Sequence, residues 1–258
     1  MAITTAPASR GTLLSTSNPK TAKGAAEGYL TAILHLAPYT LAGVGNVCSH
    51  ATAGCIAGCL NLAGRGGIFA RGETTNRIQE ARIRRTREFT ADRPAFLHRL
   101  AKEIEAHVRR AARAGLKPAV RLNGTSDLEW EGIAPDLFER FAAVQFYDYT
   151  KNPARARRFG AGELPPNYHL TFSRSESTPV AKIERLLDAG VNVAAVYLEV
   201  PRFEWNPSAG IDSGLPVIDG DATDLRFLDP RGVIVGLRAK GPARRDTSGF
   251  VLEGEGAL

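Results

Sequence analysis

The chain has 258 residues, of which 43% are hydrophobic and 23% charged, a globular composition long enough to bury a core without a disulfide scaffold. No apolar run approaches the ~20 residues needed to span a bilayer, so no membrane partner is expected. The formal net charge is +6, and it is uneven. Residues 65–121 hold fifteen Lys and Arg against six Asp and Glu, a bias that suits a nucleotide or nucleic acid and equally a solvated helix face.

Residues 1–24 are rich in Ser, Thr, Ala and Pro and read as a flexible N-terminal tail. They have no apolar core of signal-peptide type, which makes the cytoplasm the expected compartment. Residues 25–258 read as one domain with a β-rich C-terminal segment. Residues 29–36 (YLTAILHL), stopped by Pro38, form a strand-length apolar run. Residues 43–72 are Gly-rich and hold all three cysteines. Helices are predicted over 74–90 and 92–114; in the second, Phe96, Leu97, Leu100, Ile104, Val108 and Ala111 recur at spacings of three and four, one apolar stripe. Gly115 is its expected stop. Strands at 119–122, 144–147, 168–172 and 193–198 then alternate with helices at 137–142, 153–159 and 178–189. Residues 217–219, 225–228 and 232–237 are further strand candidates. Such alternation predicts an α/β fold with about six parallel strands and covering helices. The units are too few for a closed eight-fold barrel, so a partial (β/α) barrel is expected, with its chemistry at the C-terminal strand ends.

The cysteines follow the first strand in NVCSHATAGCIAGCLNLAGRG (46–66), with Cys48, Cys55 and Cys59 spaced Cys-x6-Cys-x3-Cys. An odd number of cysteines clustered in one loop argues against disulfides. Three thiolates from one loop can hold three irons of a 4Fe-4S cluster and leave the fourth open. Zinc is the alternative, with His50 as a possible fourth ligand. Ordinary buried thiols are the plain structural explanation.

A strand, a cysteine loop and then α/β units over about residues 28–200 resemble the radical S-adenosylmethionine superfamily. Its members are partial barrels with the cluster after the first strand; its common spacing, Cys-x3-Cys-x2-Cys with an aromatic residue before the last Cys, differs from the one here. The resemblance implies S-adenosyl-L-methionine as cofactor. The chain also resembles the gene-product-88-like proteins of mycobacteriophages, through YLTAILHLAP (29–38), AGCIAGCLNLAGRG (53–66), RLNGTSDLEWE (121–131), QFYDYTK (145–151), HLTFSRSE (169–176) and DGDATDLRFLDPRGVIVGLRAKG (219–241). That family implies a phage origin and carries no established activity.

Polar clusters close each predicted strand. Asn123, Gly124, Thr125, Ser126 and Asp127 follow the second strand, where the radical S-adenosylmethionine resemblance implies a small-residue and acidic motif that binds the cofactor's amino group. An Asx-turn is the structural alternative. Asp148, Tyr149 and Lys151 close the next strand, Ser173, Arg174, Ser175 and Glu176 the one after, and Glu199 the last. Arg174 has the fork that grips a carboxylate or phosphate, or it pairs with Glu176. Lys240, Arg244 and Arg245 are placed to close over an anionic ligand, the Asp219–Asp221–Asp224 cluster reads as a tight acidic turn, and His169 reads as a satisfied core histidine. The expected function is an iron–sulfur enzyme of radical S-adenosylmethionine type acting on a nucleotide or nucleic-acid-derived substrate. Two alternatives stand beside it: a zinc- or cluster-stabilised nucleic-acid-binding phage protein without catalysis, and a metal-free enzyme using Asp148, Lys151 or Glu199 as acid or base.

Overall fold

The computed structural model describes residues 11–16, 19–201 and 216–253. In chain order its elements are β1 (Leu14–Ser15), α1 (Pro19–Ala26), β2 (Tyr29–Leu34), α2 (Ala53–Ala57), α3 (Arg77–Ala91), α4 (Arg93–Arg113), β3 (Lys117–Arg121), α5 (Trp130–Ile133), α6 (Pro135–Arg140), β4 (Gln145–Thr150), α7 (Pro153–Gly160), β5 (Tyr168–Ser173), α8 (Val180–Asp188), β6 (Val193–Tyr197), β7 (Val217–Asp219), β8 (Ile234–Arg238) and β9 (Val251–Leu252). All nine strands join one sheet in the order β1-β2-β3-β4-β5-β6-β8-β7, with β9 added on β6. β1 runs antiparallel to β2 and every other pairing is parallel. The protein is thus a mixed α/β structure on a mostly parallel sheet. The strand path ends at β1 and β7 without closing.

Local chemistry explains the boundaries. Asn76 caps α3 by accepting from the N–H groups of Ile78 and Gln79, and Asp92 caps α4 by accepting from Ala95, each satisfying donors that a first turn leaves free. Gly115 ends α4 with φ of 66°, a left-handed conformation that glycine adopts without strain. Along β2 to β5, alternate residues (Ala32, Leu34, Val120, Phe146, Leu170) bury against the stripe of α4, Phe96, Leu100 and Ile104, and against Trp130 and Phe138. The opposite face behaves differently. There Ala119 and Tyr147 pack on Leu225, and Arg121 pairs with Asp224 at 3.2 Å. The segment between β7 and β8 therefore lies over the inner face of the sheet. It also reaches α1, where Lys23 Nζ donates to Asp221 O at 2.6 Å.

Two expectations need correcting. Residues 225–228 form no strand: Arg226–Leu228 is a 3-10 turn, because Phe227 turns inward onto Tyr29 and Tyr147, with ring centroids 4.9 and 5.4 Å apart. The expected flexible tail contains bound structure. Leu13 and Leu14 are buried, their N–H groups donate to the Glu103 carboxylate on α4 at 2.8–2.9 Å, and Leu14–Ser15 pairs with β2. Residues 1–10 and 17–18 of that tail lie outside the described residues. Among the described residues no helix is long and apolar enough to cross a membrane.

Candidate functional site

The C-terminal ends of β3, β4, β5, β6 and β8 open onto one cavity of about 210 Å³, and Cys48, Cys55 and Cys59 all line it. After β2 the chain leaves through Pro38 and a turn containing Tyr39 at φ 52°. The Cys48 thiol then donates to Thr125 O at 3.8 Å, joining the cysteine loop to the turn after β3. Thr52 caps α2 by accepting from the Cys55 N–H at 3.4 Å. Glu176, just beyond β5, fastens that turn by accepting from Thr52 Oγ1 at 2.7 Å and from the Gly54 N–H at 2.8 Å. Gly54 is needed there, since a Cβ would stand 2.4 Å from Ser248 Oγ and 2.7 Å from Phe250 Cβ. Gly58 ends α2, and Cys59 Sγ accepts from the Asn61 N–H at 3.5 Å.

All three cysteines are free thiols. Burial pushes Cys48 up to about 12 and also raises Cys55 and Cys59, against the opposing pull of Lys151 on both and of Arg82 on Cys59. Among the described residues no group of three His, Cys, Asp or Glu side chains stands at metal-ligating separation. His50 is exposed, with Nδ1 3.1 Å from Ser49 Oγ, and does not line the cavity.

Of the other expected site residues, Asn123, Gly124, Thr125, Ser126, Asp127 and Ser173 line the same cavity. Several hold one another. Asn123 Oδ1 accepts from Ser126 Oγ, the Leu128 N–H and Trp130 Nε1, so this side chain holds the turn from within. Thr125 Oγ1 donates to Leu36 O. Asp127 accepts from the Lys151 N–H at 2.7 Å and from Arg155 at 3.4 Å. Gly124 lies so close to β2 that a Cβ would sit 2.7 Å from Leu34 O.

Asp148 and Arg174 do not line the cavity. Asp148 is fully buried and accepts from the Asn123 N–H at 2.6 Å and from Tyr168 OH at 2.7 Å. Burial raises its carboxyl to about 6, opposed by Arg155 and the Tyr168 hydrogen bond. It thereby supports the Asn123 turn from beneath. Arg174 donates to Gly249 O and Phe250 O and pairs with no carboxylate among the described residues. Glu199 is exposed and away from the cavity. Lys240 lines the cavity and pairs with Asp221, inside the acidic turn. Arg244 and Arg245 line a separate outer groove beside α2.

Sequence reasoning missed Arg121 and Arg238 as cavity residues, while Tyr149 and Lys151, expected in the polar cluster that closes β4, do line the cavity. The period of two in QFYDYTK was the available signal for their orientation: Tyr147 faces the inner side, so Tyr149 and Lys151 do too, while Asp148 faces the helices. Arg121 stacks on the Tyr149 ring at 4.7 Å. The basic segment is partly structural. Arg82, Arg85 and Arg87 donate to Asn61, to Thr12 and His35, and to Ala42, while Arg65, Arg71, Arg77, Arg109 and Arg113 are exposed.

No curated protein and no solved structure matches the chain. One family model does, described as Gene product 88, and it spans residues 12–254. It takes in β1, the cysteine loop, every strand end that lines the cavity and β9, and the chain belongs to the gene product 88 family.

Proposed function

We propose that the protein is an iron–sulfur enzyme of radical S-adenosylmethionine type, in which Cys48, Cys55 and Cys59 hold a 4Fe-4S cluster and the polar strand ends hold the cofactor and a nucleotide-type substrate. The observation that carries this reading is that all three thiols of one loop line one cavity with the polar ends of several parallel strands. The donor set fits: thiolates are the ligands such clusters take, the thiols are largely buried, and Lys151 faces them. Among the described residues the thiols do not stand as a finished ligand triad, so the reading requires the loop to close around the cluster. Bound there, a cluster with three protein ligands supplies an open iron and an electron for reductive cleavage of S-adenosylmethionine.

The chain's own residues bind and orient. Asn123 and the Thr125–Ser126 turn shape one wall and Arg238 supplies positive charge to a ligand's anionic groups. We also read the sheet as a partial barrel, because the Lys23–Asp221 and Arg121–Asp224 contacts tie the segment after β7 back to α1 and β3. Three free thiols suit a reducing cytoplasm.

Iron, sulfide and zinc content of protein purified without oxygen tests the proposal. About four irons and four sulfides per chain, with a visible absorption band lost in Cys55→Ala, is the expected result, followed by cleavage of S-adenosylmethionine under dithionite. Stoichiometric zinc without a visible band would overturn it and favour a zinc-stabilised nucleic-acid-binding protein.

A further inference from the structure

Two cations flank the cysteine wall without a carboxylate partner. Lys151, at the end of β4, is held in one place: its Nζ donates to Ser173 Oγ at 3.0 Å, Ser173 O at 3.3 Å and Arg174 O at 2.8 Å, and it lies 5.0 Å from the centroid of the Phe250 ring. Arg82, from α3, reaches the cysteine loop through Asn61. Its Nη1 donates to Asn61 Oδ1 at 2.6 Å, and the Asn61 N–H donates to Cys59 Sγ. Among the described residues neither cation forms an ion pair. The carboxylates facing Lys151 are engaged elsewhere: Asp127 with Arg155 and the Lys151 main chain, Glu176 with Thr52 and Gly54. A largely buried cation hydrogen-bonded to neutral groups alone is costly unless a negative charge compensates it. Neutral thiols do not supply that charge.

We propose that the occupant of the three-cysteine wall is a net anion, and that Lys151 and Arg82 are its counter-charges, positioning residues that retain it and set its reduction potential. This rests on the iron–sulfur reading. Reduction by an external one-electron donor such as dithionite adds a negative charge to the centre and oxidises the donor. Removing a fixed cation beside the centre therefore disfavours reduction.

The test uses the full chain, reconstituted with iron and sulfide without oxygen, as wild type, Lys151→Met, Lys151→Arg and Arg82→Gln. Iron and sulfide content, far-UV circular dichroism and the midpoint potential are measured on each. In Lys151→Met the reduction equilibrium is expected to shift against reduction by about tenfold, or about 59 mV for a one-electron couple. Arg82→Gln should shift it in the same direction, and Lys151→Arg should stay close to wild type. Loss of iron from a folded Lys151→Met chain would also support the proposal. Full iron and sulfide with an unchanged potential in both Lys151→Met and Arg82→Gln would overturn it. Wild type without iron and sulfide would instead overturn the iron–sulfur reading, and this inference with it.

Discussion

His169 shows how one side chain departs from its sequence. It sits in an apolar strand and reads as a satisfied core histidine, yet its Nε2 has no partner and its ring packs edge-on against Phe159 at 5.0 Å. Burial, then Arg231 and Arg226, lower its pKa from 6.5 to about 4. The folded value lies below the unfolded one, so the unfolded chain takes up the proton first. The stability linked to this residue is present above pH 6.5 and is lost as pH falls toward 4, about 3 kcal/mol over that window. Urea unfolding at pH 7 and pH 4.5 should show His169→Phe losing less stability on acidification than the wild type. Arg155 gives a second residue-scale case. Its side chain is fully buried and forks onto Glu131 at 2.7 Å, with Asp127 at 3.4 Å and Tyr168 OH at 2.5 Å. Arg155→Met leaves these acids buried and uncompensated, and is expected to cost about 3–5 kcal/mol in the same urea assay. The cysteines were legible because thiols in one loop are a local pattern. The Arg155 cluster was not, since Asp127, Glu131, Asp148 and Tyr168 meet only when three strands align.

Among the elements, α2 matters most to the site and is only five residues long. Its place depends on Gly54 lying against Ser248 and Phe250. Gly54→Ala forces a Cβ into that contact and is expected to cost about 1–3 kcal/mol. With the sheet intact, alkylation of Cys55 and Cys59 by iodoacetamide should accelerate several-fold, and an unchanged rate would show that α2 accommodates the methyl group. The long amphipathic α4 was fully readable from its stripe, because its apolar period belongs to the helix itself. β1 was not: two residues give no period, and Leu13–Ser15 is ordered by Glu103, some ninety positions away. The 225–228 segment misled for a related reason. Leu225 and Phe227 face an interior made by other strands while Leu228 is exposed, so a strand-like composition served a turn.

Across the whole molecule the two faces of the sheet do different work. The helix-covered face carries the apolar core, while the inner face carries Arg121, Asp224 and Tyr149 under the cavity. The alternation of strands and helices made the parallel α/β sheet legible, but the contact of Lys23 with Asp221, which ties the segment after β7 to α1, is one that no sequence pattern encodes. The fully buried Leu13 ties the first described residues to this scaffold. Leu13→Ala is expected to destabilise the fold by about 2–5 kcal/mol, read as a lowered Tm; an unchanged Tm would mean that β1 docks without contributing.

The cavity draws its walls from Pro38 at one extreme of the chain and Phe250 at the other. A nascent polypeptide emerging from the ribosome therefore has the thiols long before it has the chamber around them. Whatever the cysteines take up is enclosed only once the segment carrying Phe250 has folded onto them, and a chain cut short before β9 exposes them to solvent oxidants.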